Sequence, residues 1–96
     1  MKELIYIYKE SCPACDHMHQ ITKDFAEKYP DILFYKFSVY DQQPVVRYLV
    51  EQHKIELAPF FIAVDGDQTV GTALGAVTEE DLINLFNPAH SHADKS

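Results

Sequence analysis

Only 8 of the 96 residues are Lys or Arg, against 15 Asp or Glu, which gives a formal net charge of −7. That shortage of cations argues against nucleic-acid binding, where affinity comes mostly from Lys and Arg contacts to phosphates. It argues equally against docking on an anionic membrane surface. No apolar run approaches the roughly 18 residues of a membrane-spanning helix. Met1-Lys2-Glu3 leads into only five apolar residues, Leu4 to Tyr8, too short for a secretory signal. Cysteine is scarce as well. The two present, Cys12 and Cys15, are too few and too close together to staple a secreted mini-protein. These absences lead to the expectation of a soluble, cytoplasmic monomer whose cysteines do chemistry.

What is present is enough for one core. Apolar residues make up 47% of the chain, and chains of this length bury roughly 60 to 68% of the surface they expose when unfolded. Residues 3 to 8 (ELIYIY) form a short β-prone run that suits a strand buried on both faces. From Pro13 to Tyr29 the apolar positions Cys15, Met18, Ile21, Phe25 and Tyr29 recur at helical spacing. Pro13 fits the first turn, where its missing N–H would be unpaired anyway, and Pro30-Asp31 ends the helix.

Residues 32 to 39 (ILFYKFSV) read as a second strand. Asp41 is expected to cap a second helix with Pro44 in its first turn and Val46, Leu49, Val50 and His53 on one face. After Ala58-Pro59 come a strand at Phe60 to Val64, an Asp65-Gly66-Asp67 turn and a strand at Thr69 to Leu74 that completes a hairpin. Thr78-Glu79-Glu80-Asp81 has capping-box spacing and opens a last helix, with Leu82, Leu85 and Phe86 inward and Asn87-Pro88 at its end. The expected fold class is α/β in the order β-α-β-α-β-β-α, with the first two strands parallel by the right-handed βαβ rule. Residues 1–88 are expected to form one domain, and 89–96 (AHSHADKS), lacking large apolar residues, a disordered tail.

Ser11-Cys12-Pro13-Ala14-Cys15 lies between the first strand and the first helix. Cys12 falls at the helix N-terminus, where unpaired N–H groups favour its thiolate, the nucleophilic form. Cys15 lies about one turn further on and faces inward, so one thiol can attack and the other resolve. The alternatives are two inert buried cysteines or half of a zinc site. Zinc would need two more ligands, yet His17 and His19 point about 200° apart on a helix, and His90 and His92 sit in the polar tail. No metal site is expected. The histidines at 17, 19 and 53 read as exposed or half-exposed helix residues with no catalytic part. A C-x-x-C beside a βαβ pattern favours redox chemistry.

With these residues in place, the chain resembles the thioredoxin-like superfamily from Glu3 to about Phe86. Ala58-Pro59 followed by FFIAV looks like the family's cis-proline loop. Val64-Asp65-Gly66-Asp67 and Leu74-Gly75-Ala76-Val77-Thr78 are similar to the thioredoxin ending. The first strand runs directly to the cysteines, without the additional N-terminal strand and helix of a full thioredoxin. In this, and in Cys-Pro-x-Cys, the chain resembles a glutaredoxin. There is no Trp before Cys12, and the position where thioredoxins carry a buried acid is Tyr6. Where glutaredoxins have an aromatic residue in the motif and a Gly-Gly pair, this chain has Ala14 and the single Gly75.

The resemblance implies a minimal thioredoxin fold, a four-stranded mixed sheet flanked by three helices. It implies a thiol-disulfide oxidoreductase that reduces protein disulfides through a Cys12/Cys15 cycle, with a thioredoxin reductase-type enzyme or glutathione as electron donor and no cofactor. Substrate would lie against Ala58, Pro59, Pro13, Ala14 and Gly75. Lys9 matches a basic residue that many glutaredoxins place near the thiolate, and it also reads as an ordinary solvated charge at a strand end. A glutaredoxin-type enzyme and a thioredoxin-fold binding module without turnover are the rival readings.

Overall fold

Leu4, Ile5, Tyr6 and Ile7 are all buried, so the first strand, β1 (Lys2–Tyr8), lies inside the sheet with both faces covered. Side chains alternate across a strand, and β1 therefore feeds two cores. Leu4 and Tyr6 join Met18, Phe25, Ile32, Phe61 and Leu82 on one face. Ile5 and Ile7 join Ile55 and Ile62 on the other, against Leu49 and Val50. The computed structural model describes residues 1–87. The expected tail at 89–96, and Pro88 with it, lies outside the described residues.

The other elements follow as α1 (Pro13–Lys28), β2 (Leu33–Ser38), α2 (Pro44–Gln52), β3 (Phe60–Asp65), β4 (Gln68–Leu74) and α3 (Glu79–Asn84). The sheet order is β2-β1-β3-β4. β1 runs parallel to β2 and antiparallel to β3, and β3 and β4 form an antiparallel hairpin. This is the thioredoxin-like α/β arrangement that the sequence resembles. The parallel β1–α1–β2 unit puts the start of α1 at the C-terminal end of the interior strand β1, and there the cysteines sit.

The strand ends fall within one residue of expectation, while two helix boundaries differ from it. Asp41 does not cap α2. Pro44 occupies the first helical position, so the cap falls on Gln43, whose side chain makes no capping bond. The Asp41 carboxylate instead accepts the Gln43 N–H at 2.9 Å and its Nε2 at 3.0 Å, shaping the turn before the helix. At α3 the capping box forms as read, with Asp81 N–H on Thr78 Oγ1 and Thr78 N–H on Asp81 Oδ2, both at 3.0 Å. The helix then stops at Asn84 rather than at Asn87. Leu85, Phe86 and Asn87 donate to carbonyls three residues back, so the chain tightens into the narrower turn common at helix ends. Leu85 and Phe86 still pack against the α1-side core.

Gly71 carries a constraint that no local sequence pattern shows. A Cβ there would lie 2.7 Å from the Leu85 carbonyl oxygen, so only glycine lets β4 pass this close to the segment after α3.

Candidate active site

After Tyr8 the chain turns through Lys9, Glu10 and Ser11 into α1, and Ser11 takes a left-handed φ of 57°. Cys12 is the N-cap of α1, with extended backbone (φ −123°, ψ 105°) and Pro13 next. Its Sγ accepts the Cys15 N–H at 3.1 Å, one of the N–H groups that a helix start leaves without a partner. The Cys12 carbonyl accepts the Asp16 N–H at 2.9 Å. Cys12 is half-buried and Cys15 fully buried, so the two sulfurs differ in access while lying about one helical turn apart.

A segment 46 residues away completes the site. The Cys12 thiol donates to the Ala58 carbonyl at 3.8 Å. The Ala58–Pro59 peptide bond is cis, and Pro59 is buried. Among the described residues the Ala58 N–H makes no hydrogen bond. Gly75, at φ +92°, donates its N–H to the Pro59 carbonyl at 2.8 Å, which ties the end of β4 to this loop.

Lys9 is half-buried and lines a cavity of about 230 Å³ with Tyr40, Arg47, Leu57 and Ala58. Pro13 is exposed and Ala14 half-buried. Cys12, Cys15, Ala58, Pro59 and Gly75 are thus joined by direct bonds, and Lys9 borders them through the cavity. Pro13 and Ala14 belong to the site by their place in the motif alone.

Arg47 and Tyr6 were not among the expected site residues. Arg47 donates Nε to the Asp41 carbonyl at 2.9 Å and Nη2 to the Val39 carbonyl, which holds its head in the cavity wall. Nothing in the sequence pattern marks it, because on a helix it lies about 100° from Val46, off the apolar face of α2. The buried Tyr6 hydroxyl donates to the Cys15 carbonyl at 3.0 Å and meets His19 Nδ1 at 3.1 Å. Among the described residues no group of three or more His, Cys, Asp or Glu side chains could hold a metal ion. No described helix is long and apolar enough to cross a membrane.

Burial, with the Cys12 sulfur second, pushes the Cys15 thiol from 9.0 up to about 11. A raised thiol keeps its proton longer in the fold than in the unfolded chain. Its contribution to stability is complete below about pH 9 and lost as pH rises through about 11. The unfolding free energy of the reduced protein is therefore expected to fall across that window. Burial, then the Cys15 sulfur, also raises the Tyr6 phenol, so Cys15→Ala removes both the thiol and its push on Tyr6, and each change lessens the alkaline loss. Denaturant titrations of the parent and Cys15→Ala should show the shallower slope in the variant, and equal slopes would remove Cys15 as a source.

A family model described as Thioredoxin matches residues 1–87. Thioredoxin H3 of Arabidopsis thaliana is 31% identical over 77% of this chain and 59% of its own length. Thioredoxin H2-2 of rice, Oryza sativa subsp. japonica, is 30% identical over 78% of this chain and 54% of its own. The chain thus spans between half and three-fifths of these relatives. Mitochondrial thioredoxin 3 from Saccharomyces cerevisiae, in its oxidized form, superposes with a TM-score of 0.72 at 23% identity, covering 86% of this chain and 74% of that one. The likeness therefore extends over every described residue rather than over the cysteine motif alone, and the chain belongs to the thioredoxin family.

Proposed function

We propose that the chain is a thiol-disulfide oxidoreductase that reduces disulfides in protein substrates. The observation that carries this reading is the Cys12 sulfur at the helix start, 3.1 Å from the Cys15 N–H, with the buried Cys15 one turn inward. Cys12 attacks the substrate disulfide and forms a mixed disulfide. Cys15 then attacks Cys12 Sγ, closing the Cys12–Cys15 bond and releasing the substrate as a dithiol, so two electrons pass to the substrate. The relatives named thioredoxins support this reading. The free Ala58 N–H and its carbonyl suit an extended substrate added as a short strand, a mode in which main-chain bonds give affinity with little sequence selection. With no cysteine beyond the pair, a reducing compartment such as the cytoplasm fits the cycle.

A thioredoxin reductase-type enzyme restores the dithiol in this reading. Ala14 offers glutathione no aromatic wall, and Gly75-Ala76-Val77 has no second glycine to let backbone approach it. One observation favours glutathione as donor instead, namely that Lys9 and Arg47, against the single acid Glu56, line one cavity beside Ala58 and leave it a net positive charge for a carboxylate. The function is tested by reduction of insulin disulfides driven by dithiothreitol. Acceleration well above dithiothreitol alone is expected, and none would overturn the reading. Recycling the oxidised protein with each donor system separately then decides between the two donors.

A further inference from the structure

Cys15 must lose its proton and reach Cys12 from a fully buried position, and the polar groups packed beneath it bear on that step. Tyr6 lies directly below on β1, its ring stacked on Phe61 at 5.0 Å with 8° between planes. Burial, then the Cys15 and Cys12 sulfurs, raise the phenol far above its ordinary range, so Tyr6 stays protonated and has one hydrogen to give. A carbonyl only accepts, so the 3.0 Å contact with the Cys15 carbonyl takes that hydrogen. The 3.1 Å contact with His19 Nδ1 must then run the other way, with Nδ1–H donating to the Tyr6 oxygen. This fixes the tautomer of neutral His19, with the proton on Nδ1 and the lone pair on Nε2. The Nε2 atom faces Asp16 Oδ1 at 3.9 Å, and the His19 side chain is 35% exposed. Tyr8 packs edge-on against the imidazole at 5.6 Å.

We propose that His19 and Tyr6 are positioning residues for the resolving step: His19 Nδ1–H holds the Tyr6 hydroxyl, which holds the Cys15 carbonyl and so sets Cys15 for attack on the mixed disulfide. Among the described residues neither makes a hydrogen bond to a reacting sulfur. The inference rests on the Cys12/Cys15 cycle proposed above and adds which residues govern its second half. In that half the Cys15 sulfur bonds to Cys12, the bond from Cys12 to the substrate sulfur breaks, and the Cys15 proton ends on the released thiol. The Cys15 carbonyl also accepts an N–H inside α1, so Tyr6→Phe leaves it bonded and keeps the ring stack. His19 is half-exposed, so its replacement leaves no buried cavity.

The test uses the full chain, reduced, with 5,5′-dithiobis(2-nitrobenzoate) as substrate, at a pH above the ordinary histidine range. Attack by Cys12 releases one coloured thiolate at a rate that scales with reagent concentration. Resolution by Cys15 releases the second at a rate that does not. Tyr6→Phe and His19→Leu are expected to slow the second phase about three- to tenfold, the scale of one lost hydrogen bond, with the first phase unchanged. The double variant should be no slower than the slower single one, because both break one chain of bonds. His19→Asn, whose amide N–H takes the place of Nδ1–H, should restore most of the second phase. Imidazole nitrogen shifts should show neutral His19 protonated on Nδ1. A second phase indifferent to Tyr6→Phe, an Asn variant as slow as the Leu variant, or a proton on Nε2 each overturns the proposal. A parent protein with no second phase at all overturns the dithiol cycle itself, and the positioning role falls with it.

Discussion

Cys12→Ser is expected to reduce insulin disulfide reduction by at least about 10³-fold, the scale on which loss of a covalent nucleophile acts. The size of the effect follows from which atom can reach a substrate. Cys15 is fully buried and its thiol is held near 11, so at neutral pH it is neither accessible nor ionised enough to replace Cys12. A serine hydroxyl at position 12 could still accept the Cys15 N–H, so the helix start should fold as before while the disulfide-attacking group is gone. Circular dichroism of the variant checks the fold and the insulin assay checks the chemistry. A variant that keeps a tenth of the parent rate would assign the attack to another residue.

The largest expected loss of stability is at Phe61. Its side chain is fully buried, lies in register with Tyr6 across the β1–β3 pair and stacks on it. It also joins Leu4, Met18, Phe25 and Leu82 in the core on the α1 side. Phe61→Ala removes that packing and leaves a cavity, which costs about 3 to 5 kcal/mol. Domains are stable by only about 5 to 15 kcal/mol in total, so the urea midpoint should fall by about a fifth or more, with the slope of the transition unchanged. A shift below about 1 kcal/mol would mean that β3 is not packed as described.

How far the sequence could be read depends on whether the deciding contact is local. Cys12 as a helix cap, Pro13 after it, the apolar face of α1 and the Thr78–Asp81 capping box are set within a few residues, and each was legible from spacing. Both faces of β1 are buried as its unbroken apolar run implied. Residue type points to Asp41 as the α2 cap, and its distance from Pro44 decides against it. Pro44 fixes the helix start, and that pushes the cap to Gln43. The end of α3 was overrun because the apolar pattern of Leu85 and Phe86 continues through a tighter turn.

The contact between Cys12 and Ala58 spans 46 residues, and no periodicity encodes it; only the family resemblance placed Ala58-Pro59 opposite the cysteines. His19 reads in the sequence as a helix residue with no catalytic part, since at four positions after Cys15 nothing shows that it faces a tyrosine on β1. The closeness of Gly71 to the Leu85 carbonyl was invisible for the same reason.

The division of labour between the two cysteines is tested most directly by trapping. Cys15→Ser removes the resolving thiol, so a substrate captured by Cys12 has no internal route to leave. The measurement is intact-mass and peptide mapping of Cys15→Ser after mixing with a disulfide-bonded protein under non-reducing conditions. The expected result is a stable one-to-one mixed disulfide joined through Cys12, which the Cys12→Ser variant does not form. Capture through Cys15 in the Cys12→Ser variant, or no mixed disulfide with either, would contradict the assignment of Cys12 as the attacking thiol.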